Sequence, residues 1–166
     1  ESIAPDFEPL VFDGEARRKE ARRIRHSSPT AMNEKGGRHR DAGGRKVGTD
    51  WAVPYRKLAQ AIQTARSLAA ARGLEDPVIY GHAGNGHPHQ NVIARGAREL
   101  TTIEEVVEET LKEVLALGGT VAAEHGIGKI KRRWLPLQMN ALQISMMTAV
   151  KRDLDPLGIL APGNIL

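Results

Sequence analysis

The chain contains no cysteine, which excludes a disulfide framework and any thiolate metal site. Aromatic residues are scarce, two each of Phe, Tyr and Trp. Sheets that bind single-stranded nucleic acid stack bases on grouped aromatic rings, and this chain has too few to group. No run approaches the roughly 18 apolar residues of a membrane span. The opening ESIAPDFEPLVFDGE is acidic and lacks the basic-then-apolar order of a signal peptide. These absences lead us to expect a cytoplasmic protein, or one peripheral to a membrane, with no transmembrane segment and no nucleic-acid partner.

What is present reads as a globular domain. At 166 residues, 40% of them hydrophobic and 27% charged, the chain is long enough for one domain with a real core and short for two. Net charge is +4, and between Glu15 and Lys46 eleven Lys and Arg stand against four acids. Such a cluster suits an acidic partner surface or anionic substrates as well as a solvated helix face.

Helical and strand periodicities divide the chain. Asp13 is placed to cap a helix reaching about Arg25, and the Gly-rich stretch SSPTAMNEKGGRHRDAGGRK reads as loop. VGTDWAV is a short strand stopped by Pro54. Residues 55–72 follow as a helix with Leu58, Ile62, Ala65, Leu68 and Ala69 on one face. PVIYGH and HQNVIA are strands on either side of a loop. TTIEEVVEETLKEVLALGG carries two overlapping capping boxes, Thr101 with Glu104 and Thr102 with Glu105, ahead of an apolar stripe. TVAAEHG reads as a fourth strand. Residues 137–153 read as a final helix with Met139, Leu142, Met146, Met147 and Val150 facing inward. The order from residue 47 is βαββαβ, so the expected fold is α+β, a ferredoxin-like antiparallel sheet with helices packed on one face. Residues 1–46 form a basic helix and loop, and 47–166 the core with a C-terminal helix and tail, in a single domain over 1–166.

The chemistry concentrates in GHAGNGHPHQN, residues 81–91, which holds three of the six histidines. A hairpin there returns His82, ending one strand, towards His89 near the start of the next. Alternation puts His87, His89 and Asn91 on one face. A second polar, glycine-flanked cluster, AAEHGIGK, adds Glu124 and His125. Two neutral imidazoles and a carboxylate form a catalytic ligand set that leaves coordination positions open. A divalent ion, zinc or manganese, would take His82, His89 and Glu124, leaving His125 as base; the exchange of roles between Glu124 and His125 fits equally well. In a regular four-strand order, however, the hairpin and the far end of the fourth strand lie apart.

These stretches also resemble a known family. GHAGNGHPHQN is similar to a signature of the FAD-linked oxidases of the vanillyl-alcohol-oxidase superfamily. AAEHGIGKIK resembles their second signature, and LDPLGILAPGNIL their chain ending. The resemblance implies the C-terminal, substrate-side (cap) domain of a flavoenzyme that oxidises a D-2-hydroxy acid such as lactate, glycolate or 2-hydroxyglutarate. It implies a divalent ion at His82, His89 and Glu124, substrate contact at Asn91 and proton abstraction by His125. It further implies a carboxylate-binding arginine, for which Arg25 is the candidate. Asn85 stands where the family usually has Asp, and His87 where it usually has Asn. The lysine expected two residues before Asp50 is replaced by Gly48, and Lys46 is the candidate substitute. Asn164, in the closing segment, is a candidate cofactor contact.

The flavin fold of that family is absent from this sequence, as is any glycine-rich dinucleotide loop. FAD is therefore expected to be held mainly by a further domain of the same protein, the chain being part of a larger enzyme and inactive alone. Two other readings share the residues. One is a stand-alone metal-dependent hydrolase, the other a basic ferredoxin-like binding module.

Overall fold

The structure is a computed structural model that describes residues 11–165; most of the acidic opening stretch lies outside them. In chain order come α1 (Gly14–Gly37), β1 (Arg45–Asp50), α2 (Leu58–Ala71), β2 (Val78–His82) and β3 (His87–Ala94). They are followed by α3 (Ala97–Ala116), the short α4 (Leu135–Gln138) and α5 (Ala141–Leu154). The strands form one antiparallel sheet in the order β1-β3-β2, so the α+β class expected from sequence is the class observed.

Strand alternation gives the sheet two chemically different faces. One carries Val47, Val92 and Ala94 into the core, where they meet Ile103, Val107 and Leu111 of α3. The apolar stripe of α3 is almost wholly buried, each such side chain contributing roughly 1.5–3 kcal/mol of transfer free energy. Buried Ala61, Ala65 and Ala69 lie on α2, which packs beside α3. The buried indole of Trp51 donates to Gln90 Oε1 at 3.0 Å, satisfying the indole N–H inside this layer.

The other face is covered in part by α1, which is longer than its sequence suggests. It continues through Pro29 to Gly37 instead of giving way to loop near Arg25. Local propensity is overridden by packing. Ser27 satisfies its hydroxyl on the Ile24 carbonyl at 2.7 Å, and Met32 and Gly36 are buried. Gly36 is where the helix meets β1: a Cβ there would lie 2.5 Å from the Lys46 backbone nitrogen. Asp13 occupies the N-cap position without a side-chain capping bond.

Three further expectations are corrected. The capping boxes at Thr101 and Thr102 do not form, because α3 begins one turn earlier with Gly96 as its N-cap. Both threonine hydroxyls donate to carbonyls four residues back, those of Ala97 and Arg98. The reach-back acid is Glu99, whose carboxylate accepts the Arg95 N–H at 2.5 Å.

The expected strand TVAAEHG shrinks to a single bridge, Thr120 against Ala52. Its position beside the end of β1 is that of a fourth ferredoxin-like strand. The chain leaves the sheet there because Asp50 captures its backbone: Asp50 Oδ2 accepts the N–H groups of Ala123 and His125, both at 3.0 Å.

The last helix is broken. Met139 separates α4 from α5, and Asn140 begins α5 with a complete capping box shared with Gln143. Of the side chains expected to face inward, only Met139 and Met147 are partly buried. No residue of α5 is buried, and Leu142, Met146 and Val150 are more than half exposed. Helical spacing showed an apolar stripe correctly but could not show that most of it stays exposed among the described residues.

Candidate active site

The hairpin register sets the site. His82 pairs with His87 and Tyr80 with His89 across β2 and β3, while Asp50 pairs with His89 and Gly48 with Asn91 across β1 and β3. With period-two alternation, these residues all project from the face opposite the core. Between the strands the chain turns through Ala83–Asn85 and closes at Gly86. Gly86 has φ +64°, and a Cβ on it would lie 1.9 Å from the Val53 carbonyl oxygen. Only glycine makes that turn against that wall.

Glu124 arrives from the segment that left the sheet. Had it continued as a fourth strand, four residues at about 3.3 Å each would have carried it roughly 13 Å down the sheet edge. Instead Glu124 Oε1 lies 3.6 Å from His82 Nε2, 3.5 Å from His89 Nε2 and 3.8 Å from His125 Nε2. Its other oxygen lies 4.0 Å from His87 Nδ1. The carboxylate is thus the hub of the cluster. Among the described residues, two three-residue groups place their ligand atoms within 4.8 Å of one another, His82–His87–Glu124 and His89–Glu124–His125. His82 and His89 of the expected trio both face Glu124 but belong to different groups.

Asp50 and Lys131, which sequence reasoning did not single out, hold this arrangement. Asp50 is fully buried and ion-paired to the buried Lys131, whose ammonium also donates to the Asp50 carbonyl at 2.8 Å. Burial pushes the Asp50 carboxyl upward, but the Lys131 hydrogen bond and charge and the two backbone N–H groups outweigh it and bring it down to about 2. Its oxygens lie 3.6 Å from His87 Nε2 and 3.6 Å from His125 Nδ1. The available signal was local: Asp50 ends a strand, and Lys131 closes the AAEHGIGKIK stretch.

His89 is shifted towards its neutral form, first by burial and then by the neighbouring imidazoles of His87 and His125; Glu124 and Asp50 offset this only in part. Neutral imidazole is the form that ligates a metal. The donor set fits a divalent ion of the zinc or manganese kind. Glu124 stands 3.5–3.6 Å from both His82 and His89, although these two imidazoles fall in different groups.

Substrate-sized space adjoins the cluster on both sides of His89. A cleft of about 390 Å³ is lined by Lys46, Gly48, Asn91, His89 and His125 together with Pro29 of α1. The Lys46 Nζ lies 3.9 Å from where a Gly48 Cβ would stand, so its ammonium occupies the space that the missing lysine side chain would leave. Asn91 donates weakly to the Val78 and His89 carbonyls, 3.4 and 3.3 Å away. A second cleft, about 650 Å³, brings Arg25 and His26 of α1 against Tyr80, His82 and His89. The unexpected length of α1 is what carries Arg25 over the sheet. Asn164 lines neither of these two clefts. It borders an apolar cleft of about 740 Å³ with Ile127, Met146, Met147, Val150 and Leu160.

Comparison with known proteins places the chain in a family. The family model described as "FAD linked oxidases, C-terminal domain" matches residues 4–165. The chain is 31% identical over 118 residues to glycolate oxidase subunit GlcD of Bacillus subtilis, covering 70% of this chain and 25% of that protein. It is 31% identical over 118 residues to the mitochondrial D-lactate dehydrogenase [cytochrome] 1 of Saccharomyces cerevisiae, covering 70% and 20%. To alkyldihydroxyacetonephosphate synthase of Caenorhabditis elegans it is 27% identical over 128 residues, covering 69% and 21%. The chain spans about a quarter or less of the length of these relatives.

Proposed function

The chain belongs to the family of FAD linked oxidases, C-terminal domain, and from that premise we propose that it is the substrate side of a flavin-dependent oxidoreductase. The substrate proposed is a D-2-hydroxy acid of the lactate, glycolate or 2-hydroxyglutarate type, oxidised to the 2-oxo acid. The observation that carries this reading is the Glu124-centred imidazole cluster beside a cleft lined by Lys46 and Asn91. A hydroxyl and a carboxylate on adjacent carbons need a polarising site and a cation a few ångströms apart, and that cleft offers both.

In this reading Lys46 receives the substrate carboxylate, Arg25 reaches it from the second cleft, and the Asn91 amide orients the 2-hydroxyl. His125 accepts the hydroxyl proton. Its Nδ1 faces the Asp50 carboxylate at 3.6 Å, which orients the ring and leaves Nε2 for the substrate. A divalent ion held by His82, His89 and Glu124 would withdraw electron density from the substrate oxygens and acidify the hydroxyl. FAD would supply the acceptor for the hydride leaving C2.

The flavin is proposed to be held by a further domain of the same protein. The support is the exposed apolar surface of α5 and the segment after it: Leu142, Met146, Val150, Leu154, Leu157, Ile159 and Leu160 are all more than half exposed. Contiguous apolar surface of this kind marks an interface, and Asn164 lies in its cleft, where a cofactor contact is proposed. No helix among the described residues is long and apolar enough to cross a membrane.

The test is metal analysis with a substrate panel. The full-length protein is expected to carry near-stoichiometric zinc or manganese and to reduce its flavin with D-2-hydroxy acids but not their L forms. His89→Ala should lose the metal and the reduction together. Equal metal content in wild type and His89→Ala would sink the reading.

A further inference from the structure

We propose that His87 is an additional ligand of the same divalent ion, making the site one of three imidazoles and one carboxylate. This rests on the metal reading above and goes beyond it, since that reading uses His82, His89 and Glu124 alone.

The position of His87 is that of a ligand. Its side chain is only 7% exposed, and its ring centroid lies 5.3 Å from that of His82 and 4.8 Å from that of His89. Nδ1 looks towards Glu124 Oε2 at 4.0 Å. With His82 and Glu124 it forms one of the two groups whose ligand atoms lie within 4.8 Å of one another.

The second observation lies on the far side of the ring. His87 Nε2 is buried without a hydrogen-bond partner, and the group it faces is the Asp50 carboxylate, with Oδ2 at 3.6 Å. A metal-bound imidazole needs one nitrogen stripped of its proton and the other donating to a fixed acceptor, commonly a carboxylate. Asp50, ion-paired to Lys131 and anchored by two backbone N–H groups, is such an acceptor. A buried imidazole kept only for packing would leave Nε2 unsatisfied at a cost.

His125 remains free for its proposed role. It stacks on His89 with ring centroids 4.9 Å apart and an interplanar angle of 14°, and it is the most exposed imidazole of the cluster. The third imidazole shifts the donor set from oxygen towards nitrogen, so zinc is expected to bind in preference to manganese.

X-ray absorption fine structure of the zinc-loaded full-length protein is expected to count three imidazoles and one carboxylate. Two imidazoles would overturn the proposal without any substitution being made. Calorimetric titration then compares wild type, His87→Asn and His89→Ala, each checked for folding by its circular-dichroism melt. His87→Asn should weaken zinc by at least about 10–100-fold, the loss seen for residues that merely support a ligand, and weaken manganese less. Zinc binding of unchanged affinity in His87→Asn, alongside loss in His89→Ala, overturns the role of His87 and leaves the metal reading standing. Wild type that binds no zinc or manganese overturns both.

Discussion

Asp50 grips His125 twice: its carboxylate accepts the His125 backbone N–H at 3.0 Å and lies 3.6 Å from the Nδ1 of the same residue. One buried charge therefore sets where the chain after α3 goes and how the imidazole at its turn is oriented. It also faces His87 at 3.6 Å. Fold and site alike depend on that carboxylate staying ionised.

Because the folded-state value of Asp50 is depressed, from 3.8 to about 2, its ionisation stabilises the fold above about pH 4. That contribution, about 2 kcal/mol, is lost as pH falls from about 4 to 2. Urea melts between pH 7 and 2 should show this step. Asp50→Asn should lack it and should also lose roughly 3–5 kcal/mol at pH 7, because Lys131 is left buried and unpaired. Lys131→Met in the Asp50→Asn background is expected to recover part of the loss.

His125→Asn in the full-length enzyme should keep the metal and the substrate affinity while turnover falls about 10²- to 10⁴-fold. Single-turnover flavin reduction measures this directly. Loss of the metal instead would exchange the roles of His125 and Glu124. Retained turnover would remove His125 from the mechanism.

Lys46→Met should raise KM for the hydroxy acid roughly 10–100-fold with a smaller effect on kcat, the expected loss of one charge-assisted hydrogen bond of about 1.5–3 kcal/mol. Since the Lys46 ammonium already lies over Gly48, Lys46→Met combined with Gly48→Lys should restore much of the affinity. An unchanged KM in Lys46→Met would place the carboxylate elsewhere, with Arg25 the next residue to replace.

Leu154 is 78% exposed, so Leu154→Asp should alter the stability of this chain alone by no more than about 0.5 kcal/mol. In the full-length protein the same change should lower the melting temperature and loosen the flavin. Equal, negligible effects in both contexts would mean that the α5 face is not the surface that meets the flavin domain.

Periodicity and glycine placement made much of this molecule legible from its sequence: the stripe of α3, the strands on either side of the histidine loop, and the projection of His87, His89 and Asn91 from one face. These are local properties, since alternation and helical repeat are imposed by backbone geometry within a few residues. The capping boxes at Thr101 and Thr102, the end of α1 and the strand at TVAAEHG were misjudged for the opposite reason. In the last two, a partner distant in sequence decided the outcome: β1 packing on Gly36 carries α1 past Pro29, and Asp50 draws Ala123 and His125 off the sheet edge; the capping boxes failed because α3 starts a turn earlier, at Gly96. The chemistry of Glu124 and the histidines could be read from residue type alone. That Glu124 stands between four imidazoles, with Asp50 behind two of them, was decided only by tertiary structure. A buried charge satisfied by backbone N–H groups more than seventy residues away leaves no periodic trace in the sequence.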